Sequence, residues 1–380
     1  MNRVAFKILL HDRAKYLALV LGIAFATLLI SQQSAIFHSV IESTTLDIKN
    51  ASEADIWVMK PSVETIDSVD PIPEITVNRV RSAAGVKWAV PYYQSTSTLR
   101  TTSGISKGVQ VVGIDESSLI GGPKTMLIGS LEDLSRPDGV IIDVAGFAKV
   151  FGDLPPQTGI AVEIGQMRAE IVGICHVGSS WSGLPRVYAR RAHAVRMARE
   201  TMHPVSFVLA RAEDGKDPKE VAAAIQQGTG LMALSRDQFM QKTQDWIMKY
   251  SGVAENFGIT ILMGIVIGVA IVGQTFYMFS AENLRQFAAL KAIGVRNSRI
   301  LGIILLQASF VAVMGYCLGI GVASLFFMYF SPQISGGLRG MFMHPVIFVG
   351  TGIFVFIMTL FSSLISVRKV LFVDPAMVFR

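Results

Sequence analysis

Few residues in this chain have the types and the spacing that known catalytic mechanisms need. The pair Gly215-Lys216 is followed by Asp217, so the sequence lacks the phosphate-binding loop G-x-x-x-x-G-K-[ST]. In the segment 178–183, Gly-Ser-Ser-Trp-Ser-Gly, Ser182 stands where the serine-nucleophile motif G-x-S-x-G requires its second glycine. We therefore expect that this chain does not hydrolyse ATP, and we interpret 178–183 as a loop.

The thiol and imidazole groups also lack a catalytic or metal-binding arrangement. Cys175 and His176 are adjacent, and successive residues of a strand point to opposite faces, so the two side chains would not meet. Cys317 lies in an apolar run, and we expect no disulfide between it and Cys175. The six histidines show no H-E-x-x-H or paired spacing. The sequence predicts no catalytic residue, no metal site and no cofactor bound by this chain.

The composition and the distribution of charge indicate a membrane protein. Of 380 residues, 51% are hydrophobic and only 16% are charged, and the mean hydropathy is +0.48. A soluble domain carries about 25% charged residues, so the composition argues against a disordered chain and an ordinary cytosolic enzyme. The net charge of +6 arises in 1–15, 281–299 and 368–380, beside apolar runs, whereas 38–252 has slightly more acidic than basic residues. Membrane topology explains this distribution, so we expect no nucleic-acid partner.

Four apolar runs have about the 20 residues that span a bilayer: 16–37, 253–280, 300–330 and 345–367. Because Lys and Arg favour cytoplasmic loops, both termini and the segment 281–299 are predicted inside, with 38–252 and the loop 331–344 outside. A cleaved signal peptide is the alternative for the first run, but Gln32 and Gln33 make a poor cleavage site. Residues 1–15 are predicted as a cytoplasmic interfacial helix and 368–380 as a cytoplasmic tail, in a multi-pass protein of the bacterial inner membrane.

The sequence pattern of the outer segment 38–252 predicts an α+β domain. Short β-rich runs bounded by Gly and Pro predict strands at 55–59, 86–99, 108–114, 139–143, 160–164, 169–174 and 205–209. Pro218 is placed to begin a helix that continues to Gln227. Helical patterns that extend the first span and cover 235–250 predict a stalk towards the membrane. The basic cluster of Arg186, Arg190, Arg191, Arg196 and Arg199 is interpreted as a solvated charged face, or else as a surface for anionic lipid or an acidic partner.

Small and polar residues inside the spans predict close helix packing. Gly264 and Gly268 in the second span, and Gly315 and Gly319 in the third, have the spacing that lets two helices approach, within or between subunits. Single glutamines, Gln274 and Gln307, are expected to form interhelical hydrogen bonds.

The segment between the second and third spans predicts a short helix at the membrane face. Ser280 suits the N-cap, Glu282 the first turn, Lys291 the last turn and Gly294 the left-handed position after the end. The apolar side chains along this helix would suit either the lipid interface or a groove on a partner protein, and the residues themselves leave both open.

On these features the chain resembles the FtsX-like, MacB-type family of ABC transporter permeases, in its DevC-type branch. The resemblance rests on the run 263–277, on 282–294 with its ending Ala-Ala-Leu-Lys-Ala-Ile-Gly, on Gln307, on the tail 373–376 and on the outer run 217–246. It implies a membrane protein of four transmembrane helices with a large α+β extracytoplasmic domain between the first and second. It also implies a homodimer that pairs with separate ATPase subunits, which use ATP and Mg.

The resemblance assigns the helix after the second span to ATPase coupling, through Glu282, Leu284, Arg285, Phe287, Ala288, Leu290, Lys291 and Gly294. It further implies a periplasmic adaptor of the membrane-fusion type and an outer-membrane channel. The leading hypothesis is an efflux permease that works by mechanotransmission. The alternative is an FtsX-like signalling scaffold that activates an extracytoplasmic hydrolase without transport. The sequence identifies no substrate and no substrate-binding residue.

Overall fold

The computed structural model describes residues 13–51, 53–178, 181–198, 205–282, 288, 289, 291, 293–330 and 343–371. Its contacts divide the chain into two compact units. The membrane unit contains the long apolar helices, and the α/β unit consists mainly of residues 40–252. Apart from the isolated helical positions 288, 289 and 291, the described α-helices in chain order are α1 (Arg13–Ser43), α2 (Leu46–Asn50), α3 (Ile75–Arg81), α4 (Val144–Phe151), α5 (Arg191–Met197), α6 (Pro218–Thr229), α7 (Arg236–Tyr250), α8 (Val253–Glu282), α9 (Asn297–Phe330) and α10 (Pro345–Leu371).

Four of these helices are long and apolar enough to cross a bilayer. The candidate spans are Tyr16–Ser43, Val253–Met278, Asn297–Phe330 and Pro345–Ile365. The side chains of α1 are more buried than those of the other three spans, and Leu19, Ile23 and Ala26 form part of the core of the membrane unit. The predicted four-span arrangement, with a mixed α/β domain between the first and second spans, is confirmed.

The α/β unit is organised around ten strands within its described residues. They are β1 (Ile56–Met59), β2 (Val86–Thr101), β3 (Ser106–Ile114), β4 (Thr125–Ile128), β5 (Gly139–Asp143), β6 (Ile160–Ile164), β7 (Met167–His176), β8 (Arg186–Arg190), β9 (Phe207–Ala212) and β10 (Met232–Ser235). The sheet order is β10-β1-β9-β2-β3-β8-β5-β7-β4, and β6 pairs with β2 and β7. The 16-residue strand β2 joins the two halves of the sheet, because its first half pairs with β9 and its second half with β3 and β6.

An aromatic cluster fills the core on one face of this sheet. Trp57 on β1 is fully buried, and its ring lies 5.4 Å from Phe207, 5.6 Å from Tyr92 and 5.5 Å from Phe239 of α7. Aromatic side chains bury large apolar areas, and edge-on contacts such as that of Trp57 with Phe207 are favourable. The cluster therefore holds α7 against the strands.

The helix ends of the α/β unit follow from their capping residues. Pro218 begins α6 as predicted, with the Asp217 carboxylate accepting a hydrogen bond from the Lys219 amide. Ser235 and Gln238 form a capping box at the start of α7. These local signals fix where the helices begin, and the sheet then determines what they cover.

Candidate functional site

The glycines of α9 lie directly against α1 in the membrane unit. A Cβ atom added to Gly315 would stand 2.6 Å from Cβ of Ile23, and one added to Gly319 would stand 2.7 Å from Cβ of Thr27. Both would also meet the backbone of α1, at the carbonyl groups of Val20 and Ala24. Backbone atoms cannot rotate away as a side chain can, so only glycine permits this approach of the two helices.

The glycines of α8 face α1 less closely. A Cβ on Gly268 would lie 2.8 Å from Cβ of Ala26, whereas one on Gly264 would make an ordinary contact of 3.5 Å with Ile30. The two glutamines differ in position, because Gln307 is buried in the membrane unit and Gln274 is exposed. Of the four predicted packing glycines, the three with close contacts, Gly268, Gly315 and Gly319, all face α1. A Cβ on Gly22 of α1 would likewise lie 2.6 Å from Cγ2 of Ile271 on α8.

The segment between α8 and α9 is described only in part. Helix α8 continues through Ser280 to Glu282, so the expectation that Ser280 is the N-cap of a new helix is wrong. Ala288 is buried, and Gly294 has the left-handed φ of 89°, with its amide donating to the Lys291 carbonyl at 2.9 Å. The coupling residues Leu284, Arg285, Phe287 and Leu290 lie outside the described residues, and the ATPase-coupling role of the whole set stays a prediction.

One arginine of the basic cluster occupies a buried ion-pair site that the sequence analysis missed. Arg186 on β8 is only 1% exposed, and its guanidinium pairs with the carboxylate of Asp47 on α2. Its Nη1 also donates to the Gly178 carbonyl at 3.0 Å, and its backbone amide donates to Asp143 Oδ1 at 2.6 Å. The interpretation of the cluster as a solvated face is therefore wrong for Arg186. The solvated-face interpretation agrees with the position of Arg196, which is exposed. Arg191 forms an ion pair with Glu74.

The opposite charges of Asp47 and Arg186 compensate each other in the buried site. Burial by itself would lower the pKa of Arg186, but the carboxylate of Asp47 acts in the opposite direction and the pKa is raised. The guanidinium therefore stays charged. Burial raises the pKa of Asp143, opposed by hydrogen bonds from the backbone amides of Arg186 and Gly146. Successive strand residues alternate between faces, so Arg186 shares a face with the buried Tyr188, but Arg186 to Ala189 are all buried and no polar–apolar alternation in the sequence marks this site.

The positions considered for chemistry show no catalytic arrangement among the described residues. Cys175 is buried and its Sγ–H donates to the Ile142 carbonyl, whereas His176 is exposed, as expected for neighbours on a strand. Burial raises the pKa of the Cys175 thiol, which suppresses the reactive thiolate. No group of three or more His, Cys, Asp or Glu side chains within the described ranges could hold a metal ion.

Two protein-family models match this chain. The family described as MacB-like periplasmic core domain matches residues 16–228, which is more than half of the chain, and the family described as FtsX-like permease C-terminal matches residues 258–375. The chain belongs to the FtsX/MacB family of ABC transporter permeases. Proteins of this family are transmembrane subunits of ABC transporters, so the permease is a membrane protein.

Relatives of this permease carry the same description. A protein of Mycobacterium tuberculosis (strain H37Rv) named as an uncharacterized ABC transporter permease is 23% identical over 309 residues, covering 81% of this permease and 79% of the relative. A Mycobacterium bovis protein with a similar name is 24% identical over 310 residues, with the same coverage of each chain.

Two of the solved structures that are similar to part of this permease are extracytoplasmic domains of transporters. The extracellular domain of the ABC-type transporter YknZ from Gram-positive bacteria is 20% identical, with a TM-score of 0.35, and covers 48% of this permease and 98% of that domain. The periplasmic region of MacB from Actinobacillus actinomycetemcomitans is 10% identical, with a TM-score of 0.39, and covers 52% of this permease and 94% of that region.

Proposed function

We propose that this permease is the membrane subunit of an ABC exporter that works by mechanotransmission. A separate ATPase subunit binds ATP and Mg, and its closure displaces the membrane helices and thereby moves the α/β unit. The observation that carries this proposal is the buried ion pair between Asp47 and Arg186. It fastens α2, which is separated from the end of α1 by two residues, to a strand inside the sheet.

The pair is suited to transmit force because it resists separation. Removing one partner of a buried ion pair costs about 3–5 kcal/mol, since the other charge is left without compensation in a low-dielectric site. A displacement of α2 would therefore carry β8 with it before the pair would break. Strand β8 is hydrogen-bonded to β3 and β5, so the displacement would spread through the sheet.

Helix α1 has the length and the packing of a lever. Its 31 residues extend for about 46 Å at 1.5 Å per residue, which exceeds the ~30 Å hydrocarbon core. The close approach of Gly315 and Gly319 couples α1 to α9, whose first turn follows the predicted ATPase-coupling segment. A push on that segment would reach α1 through a packed helix pair rather than through a flexible loop.

The remaining parts of the proposal come from the charge distribution and the family. The permease would lie in the bacterial inner membrane with both termini cytoplasmic and the α/β unit periplasmic, because the basic residues flank the spans at the termini and at 281–299. It would act as a homodimer with two ATPase subunits. A periplasmic adaptor and an outer-membrane channel would receive the substrate.

The proposal is tested by measuring movement, which requires no knowledge of the substrate. A spin label is attached at Thr102→Cys, an exposed position just after β2, in a background in which Cys317 is replaced by Ser; the buried Cys175 stays unlabelled. The label-to-label distance between the two copies is measured by pulsed electron paramagnetic resonance, with the ATPase present, with and without ATP.

We expect an ATP-dependent change in that distance. An identical distance distribution in both states would refute mechanotransmission, and the absence of any intercopy distance would refute the homodimer. Co-purification of a membrane-fusion adaptor would support export. Co-purification of a hydrolase that is activated by the complex would instead favour a signalling scaffold.

A further inference from the structure

A cleft of about 480 Å³ opens in the α/β unit. This volume is within the range of small-molecule sites, about 300–1,000 Å³. The lining includes Gln94 of β2 and Gln110 of β3. The antiparallel register places Thr96 opposite Gln110, so Gln94, two residues before Thr96, projects from the same sheet face as Gln110.

Both glutamines present an acceptor that lacks a hydrogen bond. Gln94 Nε2 donates to the Ile66 carbonyl and Gln110 Nε2 donates to Asp67 Oδ1, each at 3.3 Å, which fixes the amide orientations. The two side chains are 4% and 3% exposed, and no residue in the described part of the chain donates to either Oε1 atom. Buried polar atoms are nearly always satisfied, so two such acceptors at one cleft indicate a donor that is supplied from outside the chain.

The carboxyl group at the cleft adds a negative charge to these acceptors. Asp67 lines the cleft and is exposed at its mouth; partial desolvation together with the nearby Asp47 carboxylate raises its pKa, opposed by Arg186 and by the hydrogen bond from Gln110. The Arg186 guanidinium is already paired with Asp47, so Asp67 has no cation of its own in direct ion-pair contact among the described residues. A cation held in the cleft would relieve this imbalance.

The other side of the cleft is apolar and aromatic. Trp181 lines it with an indole that is 37% exposed, and Val69 and Leu184 contribute aliphatic surface. An exposed indole face attracts cations, and its apolar area suits a small hydrocarbon group. The cleft thus combines a negative, acceptor-only region with an aromatic wall.

We propose that this cleft binds a primary organic ammonium that carries a small apolar group. An ammonium has three hydrogen-bond donors and no acceptor, which matches the Asp67 carboxylate and, once the two buried side chains turn towards the cleft, the two glutamine oxygens. The apolar group contacts Trp181 and the aliphatic wall. A neutral alcohol of the same shape supplies one donor and no charge, so it binds more weakly. This site goes beyond the proposed export function, because binding requires neither the ATPase nor movement.

The test uses the full-length permease in phosphatidylcholine nanodiscs, whose zwitterionic lipid does not concentrate cations, with empty nanodiscs as the blank. The probes are 2-phenylethylammonium and 2-phenylethanol, which share their apolar group, and binding is measured by isothermal titration calorimetry at neutral pH. The variants are Asp67→Asn, which removes the charge and keeps the shape, and Trp181→Ala. The matched control is Asp153→Asn, at an exposed carboxylate that does not line the cleft.

We expect the ammonium to bind at least about tenfold more tightly than the alcohol. Asp67→Asn should weaken ammonium binding about tenfold or more, Trp181→Ala about two- to fivefold, and Asp153→Asn should leave it unchanged. Equal binding of the two probes, undiminished binding to Asp67→Asn, or no heat above the blank would each overturn the proposal. Trp181→Ala changes an exposed side chain and keeps a variant test available if Asp67→Asn fails to fold.

Discussion

The glycine contacts between α1 and α9 lead to a quantitative prediction on the membrane unit. Gly319→Ala would place a Cβ atom 2.7 Å from Cβ of Thr27, 3.1 Å from the carbonyl carbon of Ala24 and against the Ala24 oxygen. Gly321 lies two residues further along α9 and has no atom within 4 Å of an added Cβ. Gly321→Ala is therefore the matched control, because both substitutions add one methyl group to the same helix.

The expected difference follows from two opposing terms. Replacing glycine by alanine inside a helix favours the helix by up to about 1 kcal/mol at either position. Overpacking against atoms that cannot move away costs about 1–3 kcal/mol, and only Gly319→Ala incurs that cost. The free energy of unfolding should therefore be about 1–3 kcal/mol lower for Gly319→Ala than for Gly321→Ala, because the helix-propensity term cancels in the comparison.

The assay must report on the membrane unit. All four tryptophans lie in the α/β unit, between Trp57 and Trp246, so their fluorescence does not follow the membrane helices. Circular dichroism at 222 nm during titration with sodium dodecyl sulfate follows the loss of helix instead. If the two variants unfold with free energies within about 0.5 kcal/mol of each other, the close approach of α1 and α9 is not a constraint on this fold.

Three further predictions concern the α/β unit and the ATPase contact. Arg186→Met should lower the free energy of unfolding, measured by tryptophan fluorescence in urea, by about 3–5 kcal/mol, because it leaves the Asp47 carboxylate buried without a partner. Adding Asp47→Leu should recover much of that loss. No recovery would show that the two charges are not coupled. The raised pKa of Asp67 means that its ionised form is disfavoured in the folded state, so wild-type stability falls relative to Asp67→Asn as pH rises above about 4, and a pH-independent difference would contradict this. Phe287→Asp or Leu284→Asp should abolish co-purification with the ATPase while membrane insertion is retained, because apolar anchors dominate such grooves; unchanged co-purification would refute the coupling assignment.

Local patterns in the sequence predicted much of the fold. The apolar runs are long enough that only transmembrane helices account for them, and the described part of the chain contains four such helices. The long strands β2 and β3 were predicted because they carry sustained β-rich runs bounded by Gly and Pro. The predicted helix start at Pro218 is confirmed. It could be predicted because the fixed φ of proline is a property of that single residue.

Short elements were missed where packing, rather than local preference, forms the element. Strands β4, β8 and β10 have four or five residues each and were missed, whereas β1, β5 and β6 of similar length were predicted. Over so few residues a periodic pattern is not diagnostic. Ser280 was predicted as a helix N-cap, yet α8 continues through it to Glu282. A capping residue only permits a helix to begin there, and neighbouring turns that favour the helix can override it.

The amino-acid sequence alone determined that the chain spans a membrane four times and carries a mixed α/β domain without catalytic or nucleotide-binding motifs, because hydrophobic run length and motif spacing are local properties. The tertiary structure decided which charges are buried. Gln94 and Gln110 line one cleft because β2 and β3 lie side by side, and Arg186 on β8 meets Asp47, which lies 139 residues earlier on α2. Strand pairing joins residues that are far apart along the chain, and no local pattern encodes those distances.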